Sequence, residues 1–151
     1  MTTIAASTAN GGALAGDRQY TYGGTTKFLG APKVIQIADS LSKEMFGVPK
    51  TLIGFAGNAD VWGQVQAFFA DPTRNLPKLK NIEFLMLNKN GIYHATNMEN
   101  WTLLNEKHFA IGSGMHFAIA AMASGKTPIE ACKVASKYDI LTGLGYKELS
   151  L

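Results

Sequence analysis

The sequence predicts an α+β domain: antiparallel sheets with helices stacked on them. Three observations lead there. Strand-like and helix-like segments come in runs rather than alternating one by one, which argues against a parallel βαβ sheet. Glycine- and asparagine-rich turns join neighbouring strand segments directly, as hairpins require. The composition is that of one domain large enough for a proper core: 151 residues, 46% hydrophobic and 17% charged. An average domain carries about 25% charged residues, and one explanation of the lower share is a subunit that hides surface against copies of itself.

Each element follows from local chemistry. Thr2 to Ser7 is rich in small and β-branched residues, and Asn10-Gly11-Gly12 after it supplies positions that tolerate positive φ, so Ala13 to Asp17 returns as a second strand. Gly23-Gly24 marks another turn, and Lys33 to Ile37 a further strand. Val48 to Lys50 contains a proline and reads as a connection. Thr51 to Phe55 is a short apolar strand closed by Gly57-Asn58. From Asp60 to Ala70 the period changes: Val61, Val65, Phe68 and Phe69 fall at helical spacing, with Asn58 or Asp60 as cap and Asp71-Pro72 as stop. Residues 73 to 80 read as loop. Glu83 to Leu87 and Gly91 to Ala95 form a hairpin across Asn88-Lys89-Asn90-Gly91. Phe109 to Ile111 is a brief strand, and Gly112-Ser113-Gly114 turns into a helix over Met115 to Ser124. Thr127-Pro128-Ile129-Glu130 has the residues of a capping box with proline at the first helical position, opening a helix through about Lys137. Gly143 to Leu151 is a turn and an edge strand. There is no internal repeat and no linker.

Several function classes drop out. With 14 basic and 11 acidic side chains the net charge is +3, a weak field with scattered lysines, which disfavours nucleic acid as a partner. No apolar stretch approaches the about 18 residues of a membrane span. Cys132 is the single cysteine, so neither an intrachain disulfide nor a cysteine metal cluster is open to it, and a buried hydrophobe is its simplest reading. The start lacks a basic segment followed by an apolar one, so the cytoplasm is expected, or a host's cytoplasm if the source is viral. Gly125-Lys126-Thr127 lacks the upstream glycine of a phosphate loop, and Gly112-Ser113-Gly114-Met115 lacks the spacing of a nucleophile elbow. His94, His108 and His116 show no metal-ligand pairing, so no metal site is expected.

What remains is the start, Met1-Thr2-Thr3. Removal of Met1 would leave Thr2 with a hydroxyl nucleophile and, in its own α-amine, a base of pKa roughly 7.7 to 8.0. From here the chain resembles the proteasome β-subunits, and among them the HslV-type peptidases, of the N-terminal nucleophile hydrolases. The similarity is carried, in order, by Thr2-Thr3-Ile4, Ala15-Gly16-Asp17, Thr21, Lys33-Val34, Ile53-Gly54-Phe55-Ala56-Gly57 with Ala59-Asp60, Ala110-Ile111-Gly112-Ser113-Gly114, Asp139-Ile140-Leu141-Thr142-Gly143 and Glu148-Leu149-Ser150. Taken singly, each has a plain structural reading: a turn aspartate, an edge-strand lysine, a helix cap.

The resemblance implies an αββα sandwich, two antiparallel sheets between helix layers, here shortened between the first helix and Glu83 and after Asp139. It implies Thr2 as nucleophile, exposed by aminopeptidase trimming of Met1. Lys33 would lower the nucleophile's pKa, Asp17 would hold Lys33, and the Gly54 N–H would form the oxyanion hole. Ser113, Asp139 and Thr142 would form a network at the Thr2 amine. Thr21 would bind the peptide backbone, while Tyr20, Ala31 and Leu52 would line an apolar specificity pocket. It implies no cofactor in this chain beyond a monovalent cation near the tail. ATP would enter only through a partner, an HslU-type AAA+ unfoldase feeding polypeptides into stacked homo-oligomeric rings. Two alternatives stand beside a threonine peptidase: an inactive assembly or binding module that keeps the fold, and a hydrolase of small amides with the same nucleophile.

Overall fold

The computed structural model describes residues 2–71, 73, 79–97 and 99–151. The chain begins with β1 (Thr3–Ser7), which turns through Asn10, Gly11 and Gly12, all at positive φ, into β2 (Ala13–Asp17). Next come β3 (Gln19–Tyr22), β4 (Thr26–Leu29), β5 (Val34–Gln36) and a short helix, α1 (Asp39–Phe46). Then follow β6 (Thr51–Gly57), α2 (Ala59–Ala70), β7 (Ile82–Asn88), β8 (Gly91–Ala95), β9 (Thr102–Leu104) and β10 (His108–Gly112). Two helices, α3 (Met115–Ala123) and α4 (Pro128–Tyr138), precede the last strand, β11 (Tyr146–Ser150).

These strands form two antiparallel sheets and a separate hairpin. One sheet has the order β10-β1-β2-β11, the other β5-β6-β7-β8-β9, and β3 pairs with β4 alone. The alternation of side chains along a strand divides the apolar residues into three cores. Ile4, Leu14, Leu52, Leu85, Leu87 and Ile111 meet between the sheets. Ile53, Phe55, Phe84 and Met86, the alternate residues of the second sheet, pack on Leu41 of α1 and on Trp62, Val65 and Phe69 of α2. Ala5, Ala15 and Ala110 of the first sheet receive Ala118, Met122, Ala131 and Cys132 from α3 and α4. Small residues on that outer face let the helices approach closely. The result is the expected helix–sheet–sheet–helix sandwich.

Most expected elements are present within a residue or two. The Asn58 side chain accepts the Asp60 N–H at the start of α2, and Thr127 and Glu130 make the reciprocal capping box of α4. The tail strand β11 lies at the sheet edge against β2. Four elements were not anticipated: α1, β9, and the strands β3 and β4 on either side of the expected Gly23-Gly24 turn. Helix α1 is eight residues long and buries only Leu41 and Ser42, too little for an apolar period to show. Strand β9 is a three-residue edge, and all of β4 is exposed. Most of the expected 73–80 loop, and Pro72 of the expected helix stop, lie outside the described residues. Among the described residues, no helix is long and apolar enough to cross a membrane.

Candidate active site

Strands β1 and β2 are antiparallel with Ile4 opposite Gly16, so the start of β1 meets the end of β2. That register puts Thr2 beside Asp17. The Thr2 hydroxyl donates to Asp17 Oδ1 at 2.7 Å, and the Thr3 N–H donates to the same oxygen at 2.9 Å. The other oxygen, Oδ2, accepts the Gln19 N–H and the Gly143 N–H, each at 3.1 Å. Asp17 is fully buried, and these amides are what make an anion tolerable there.

Lys33 enters from the segment just before β5. Its ammonium donates to the Thr2 hydroxyl oxygen and to the Gln19 carbonyl at 2.5 Å, and lies 3.2 Å from Asp17 Oδ1. It is only 3% exposed. Burial pulls its pKa below the ordinary lysine value, and the Asp17 carboxylate opposes that shift.

A second cluster forms where α4 ends. Asp139 follows its last turn, and its Oδ2 accepts Ser113 Oγ at 2.5 Å and Thr142 Oγ1 at 2.6 Å. Because Thr142 donates to Asp139, it receives the Thr3 hydroxyl, 2.7 Å away. Ser113 Oγ also lies 3.4 Å from the Thr2 carbonyl. Burial alone would raise the Asp139 pKa, but the hydroxyls of Ser113 and Thr142 and the Leu141 N–H hold it below the usual carboxylate value. Gly112 brings this turn against the chain start: a side chain there would meet the Thr2 carbonyl oxygen at 2.0 Å.

Beside Thr2 opens a cavity of about 370 Å³. Tyr20, Thr21 and Lys33 line it, as expected for the first two, together with Gln19, Phe55 and Gly57. Three expected residues are not brought to it. Leu52 is fully buried in the core between the sheets. Ala31 is exposed and meets the site only through its carbonyl, which accepts the Tyr20 hydroxyl at 3.1 Å. Gly54 sits opposite Val34 and Leu85 in the middle of the second sheet. A Cβ there would lie 2.6 Å from Ile4 Cγ2, so this glycine serves the close approach of the two sheets.

By geometry Gly57, rather than Gly54, is the candidate backbone donor at the cavity. Backbone N–H groups alternate sides along a strand. The Phe55 N–H bonds the Lys33 carbonyl, so odd positions of β6 face β5 and even positions, Gly54 among them, face β7. Gly57 lies on the Lys33 side, beyond the last β5 pair, and lines the cavity. Its φ of 125° suits glycine alone. Sequence reading missed it because the same short segment holds both glycines. The run Gly57-Asn58-Ala59-Asp60 into the helix cap was the usable signal, since a strand end is where backbone becomes available.

The tail turn, where the resemblance implies a monovalent cation, is closed by hydrogen bonds within the chain. Its carbonyls are already engaged: Asp139 by the Thr142 N–H, Gly143 and Gly145 by the Arg18 N–H, and Ile140 by Gln19 Nε2. Among the described residues, no group of three His, Cys, Asp or Glu could hold a metal. Cys132 is buried with its thiol pKa pushed up, a core residue.

No protein-family model matches the sequence, and no curated protein matches it either. Solved structures do. BPH of Thiobacillus denitrificans, in complex with epoxomicin, aligns with 99% of this chain and 97% of its own at TM-score 0.70 and 16% identity. HslV from Trypanosoma brucei aligns over 97% of both chains at TM-score 0.67 and 19% identity. Anbu, an ancestral beta-subunit from Yersinia bercovieri, covers all of this chain and 82% of its own at TM-score 0.67 and 14% identity. The fold is thus that of the proteasome β-subunit-like N-terminal nucleophile hydrolases.

Proposed function

We propose that this chain is a threonine peptidase subunit whose nucleophile is the hydroxyl of Thr2, made N-terminal by removal of Met1. The observation that carries the reading is the convergence of Thr2, Lys33 and Asp17 in one buried cluster at the edge of a cavity. A serviceable nucleophile needs its base and its charge partners within hydrogen-bond reach; the β1–β2 register brings Asp17 to Thr2, and the packing of the two sheets brings Lys33.

The steps follow from the groups present. The freed Thr2 amine takes the hydroxyl proton, directly or through water, as the oxygen attacks the peptide carbonyl. The Lys33 ammonium stabilises negative charge on that oxygen, and Asp17 keeps the lysine oriented. The Gly57 N–H faces the oxyanion. The protonated amine then gives its proton to the departing peptide nitrogen, leaving an ester on Thr2 that water cleaves. Ser113, Asp139 and Thr142 hold the turn against the chain start and supply the charge that orients the new amine. Thr21, on β3 beside the cavity, is placed to pair with an extended substrate backbone.

Broad peptide hydrolysis in a cytoplasm is safest inside a closed chamber. The reading therefore includes stacked homo-oligomeric rings and an HslU-type AAA+ unfoldase that consumes the ATP and delivers polypeptides. The low charge content fits surface reserved for such contacts.

The test is the intact mass before and after incubation with epoxomicin, the compound bound in the Thiobacillus BPH structure. The expected result is a chain lacking Met1 that gains one adduct on Thr2, and a Lys33→Ala chain that gains none. A chain that keeps Met1 and stays unlabelled overturns the peptidase reading and leaves an assembly or binding module. Turnover of small amides without peptide cleavage would keep the nucleophile and change the substrate.

A further inference from the structure

Lys33 has a neighbour that is neither acid nor hydrogen-bond acceptor. Its ammonium lies 4.9 Å from the centroid of the Tyr20 ring, inside the about 6 Å over which an aromatic face attracts a cation. The ring is fixed by three contacts. It stacks on Phe28 at 5.6 Å with 18° between the planes. Its hydroxyl donates to the Ala31 carbonyl. It also lies flat against Gly30, where any Cβ would come 2.1 Å from a ring carbon. Such a ring is poorly free to swing aside for a substrate side chain, although it lines the cavity.

We propose that Tyr20 is a positioning residue for Lys33: its ring, held by Phe28, Gly30 and the Ala31 carbonyl, caps the ammonium and keeps it charged against the Thr2 hydroxyl. This rests on the role given to Lys33 above. It replaces substrate contact as the main duty of Tyr20. The physical need is clear from the surroundings. Burial works against the ammonium, and the compensating charges are Asp17 on β2 and, farther off, Asp139 beyond α4. Cys132 on α4 is held as a neutral thiol by burial, and Asp60 lines the same cavity from the start of α2. An aromatic face favours the cation without competing for the Thr2 hydroxyl, because it adds no donor or acceptor of its own there.

The experiment follows the Lys33 ammonium by ¹⁵N NMR through a pH titration of the full chain, with Lys33→Arg used to assign the signal. Three proteins are compared with the parent: Tyr20→Leu, Tyr20→Phe, and a chain carrying pentafluorophenylalanine at position 20, which keeps the ring shape but cancels its attraction for cations. Loss of the ring's attraction should lower the proton affinity of Lys33 by about threefold to thirtyfold in the leucine and fluorinated chains. Tyr20→Phe should titrate like the parent, and the pH–rate profile for peptide cleavage should shift in step. A folded leucine or fluorinated chain that titrates like the parent overturns the proposal. So does a Phe chain that loses as much as the Leu chain, which would put the effect in the hydroxyl. Should Tyr20→Leu fail to fold, the fluorinated chain decides. The titration does not depend on turnover, so an inactive chain that still shows the shift sinks the peptidase reading alone.

Discussion

At the scale of single residues, the site turns on which glycine does what. Gly54 and Gly57 lie three positions apart on β6, so their N–H groups face opposite neighbours. A Gly54→Ala chain puts a methyl 2.6 Å from Ile4 Cγ2. It should lose stability by about 1–3 kcal/mol, the usual cost of overpacking, yet keep its turnover per folded molecule. A Gly57→Ala chain forces a Cβ to 2.1 Å from the Asn81 carbonyl at a φ of 125°. It should shift the strand end and lower kcat by about 10²-fold or more, the scale of one lost oxyanion donor. Urea titration and steady-state cleavage on the same samples separate the two effects. If Gly54→Ala lost turnover while folded and Gly57→Ala did not, the reassignment would be wrong. Thr2 was legible from its own chemistry, a hydroxyl beside a free amine once Met1 is removed, whereas Lys33 and Asp17 were legible only through the family resemblance, since each alone reads as an edge-strand lysine or a turn aspartate. A backbone donor carries no such mark; Leu52 was misplaced because strand alternation turns it into the core between the sheets, and Ala31 because it lies in the connection between β4 and β5, where no period fixes its direction.

Asp139 belongs to the same scale. Its folded pKa is lowered by the Ser113 and Thr142 hydroxyls and the Leu141 N–H, despite burial. Its contribution to stability is therefore fully present above the unfolded value of about 3.9 and is lost as pH falls through the lower folded value. The stability gap between the parent and Asp139→Asn should be largest near neutral pH and shrink below about pH 4. Urea midpoints at pH 7 and pH 3 check this, and a gap that widens in acid would contradict it.

At the scale of elements, helix α4 is the arm that delivers Asp139. Its start carries a reciprocal box: Thr127 accepts the Glu130 N–H at 3.4 Å, and Glu130 accepts the Thr127 N–H at 2.9 Å. Replacing Thr127 with Ala removes one half of the box and should cost about 1 kcal/mol, a fall in Tm of about 2–4 °C for a chain of this size. The loss should leave kcat nearly unchanged, because the C-terminal end of the helix is pinned separately by Asp139 itself. Calorimetry and cleavage assays on Thr127→Ala test both halves. This helix was legible because capping chemistry is written in four consecutive residues. Helix α1 was not, because it owes its form to packing on the second sheet; only Gly47, at a φ of 68° just past its end, marks it locally. Strands β4 and β9 were invisible for a related reason: exposed or three-residue edges show no apolar alternation, and pairing with a neighbour makes them strands.

At the scale of the whole molecule, the segregated runs of strands and helices were enough to foresee a layered α+β sandwich, since each amphipathic face must find a partner. They could not say which strands share a sheet, because that depends on long-range register. The register also builds the site: Thr2 and Asp17 come from the first sheet, Lys33 and Gly57 from the second. The core between the sheets is therefore a spacer that sets the distance across the candidate site. Leu85 is fully buried there, on β7 opposite Gly54. Leu85→Ala should destabilise the chain by about 2–5 kcal/mol, the range for a leucine truncated in a core. It should also slow epoxomicin labelling of Thr2 under conditions where the protein stays folded, because partial collapse of the cavity tilts one sheet against the other. Measuring the labelling rate against the folded fraction distinguishes the two contributions. A labelling rate that simply tracks the folded fraction would mean that each sheet holds its half of the site rigidly and that the core stabilises the fold without tuning the chemistry.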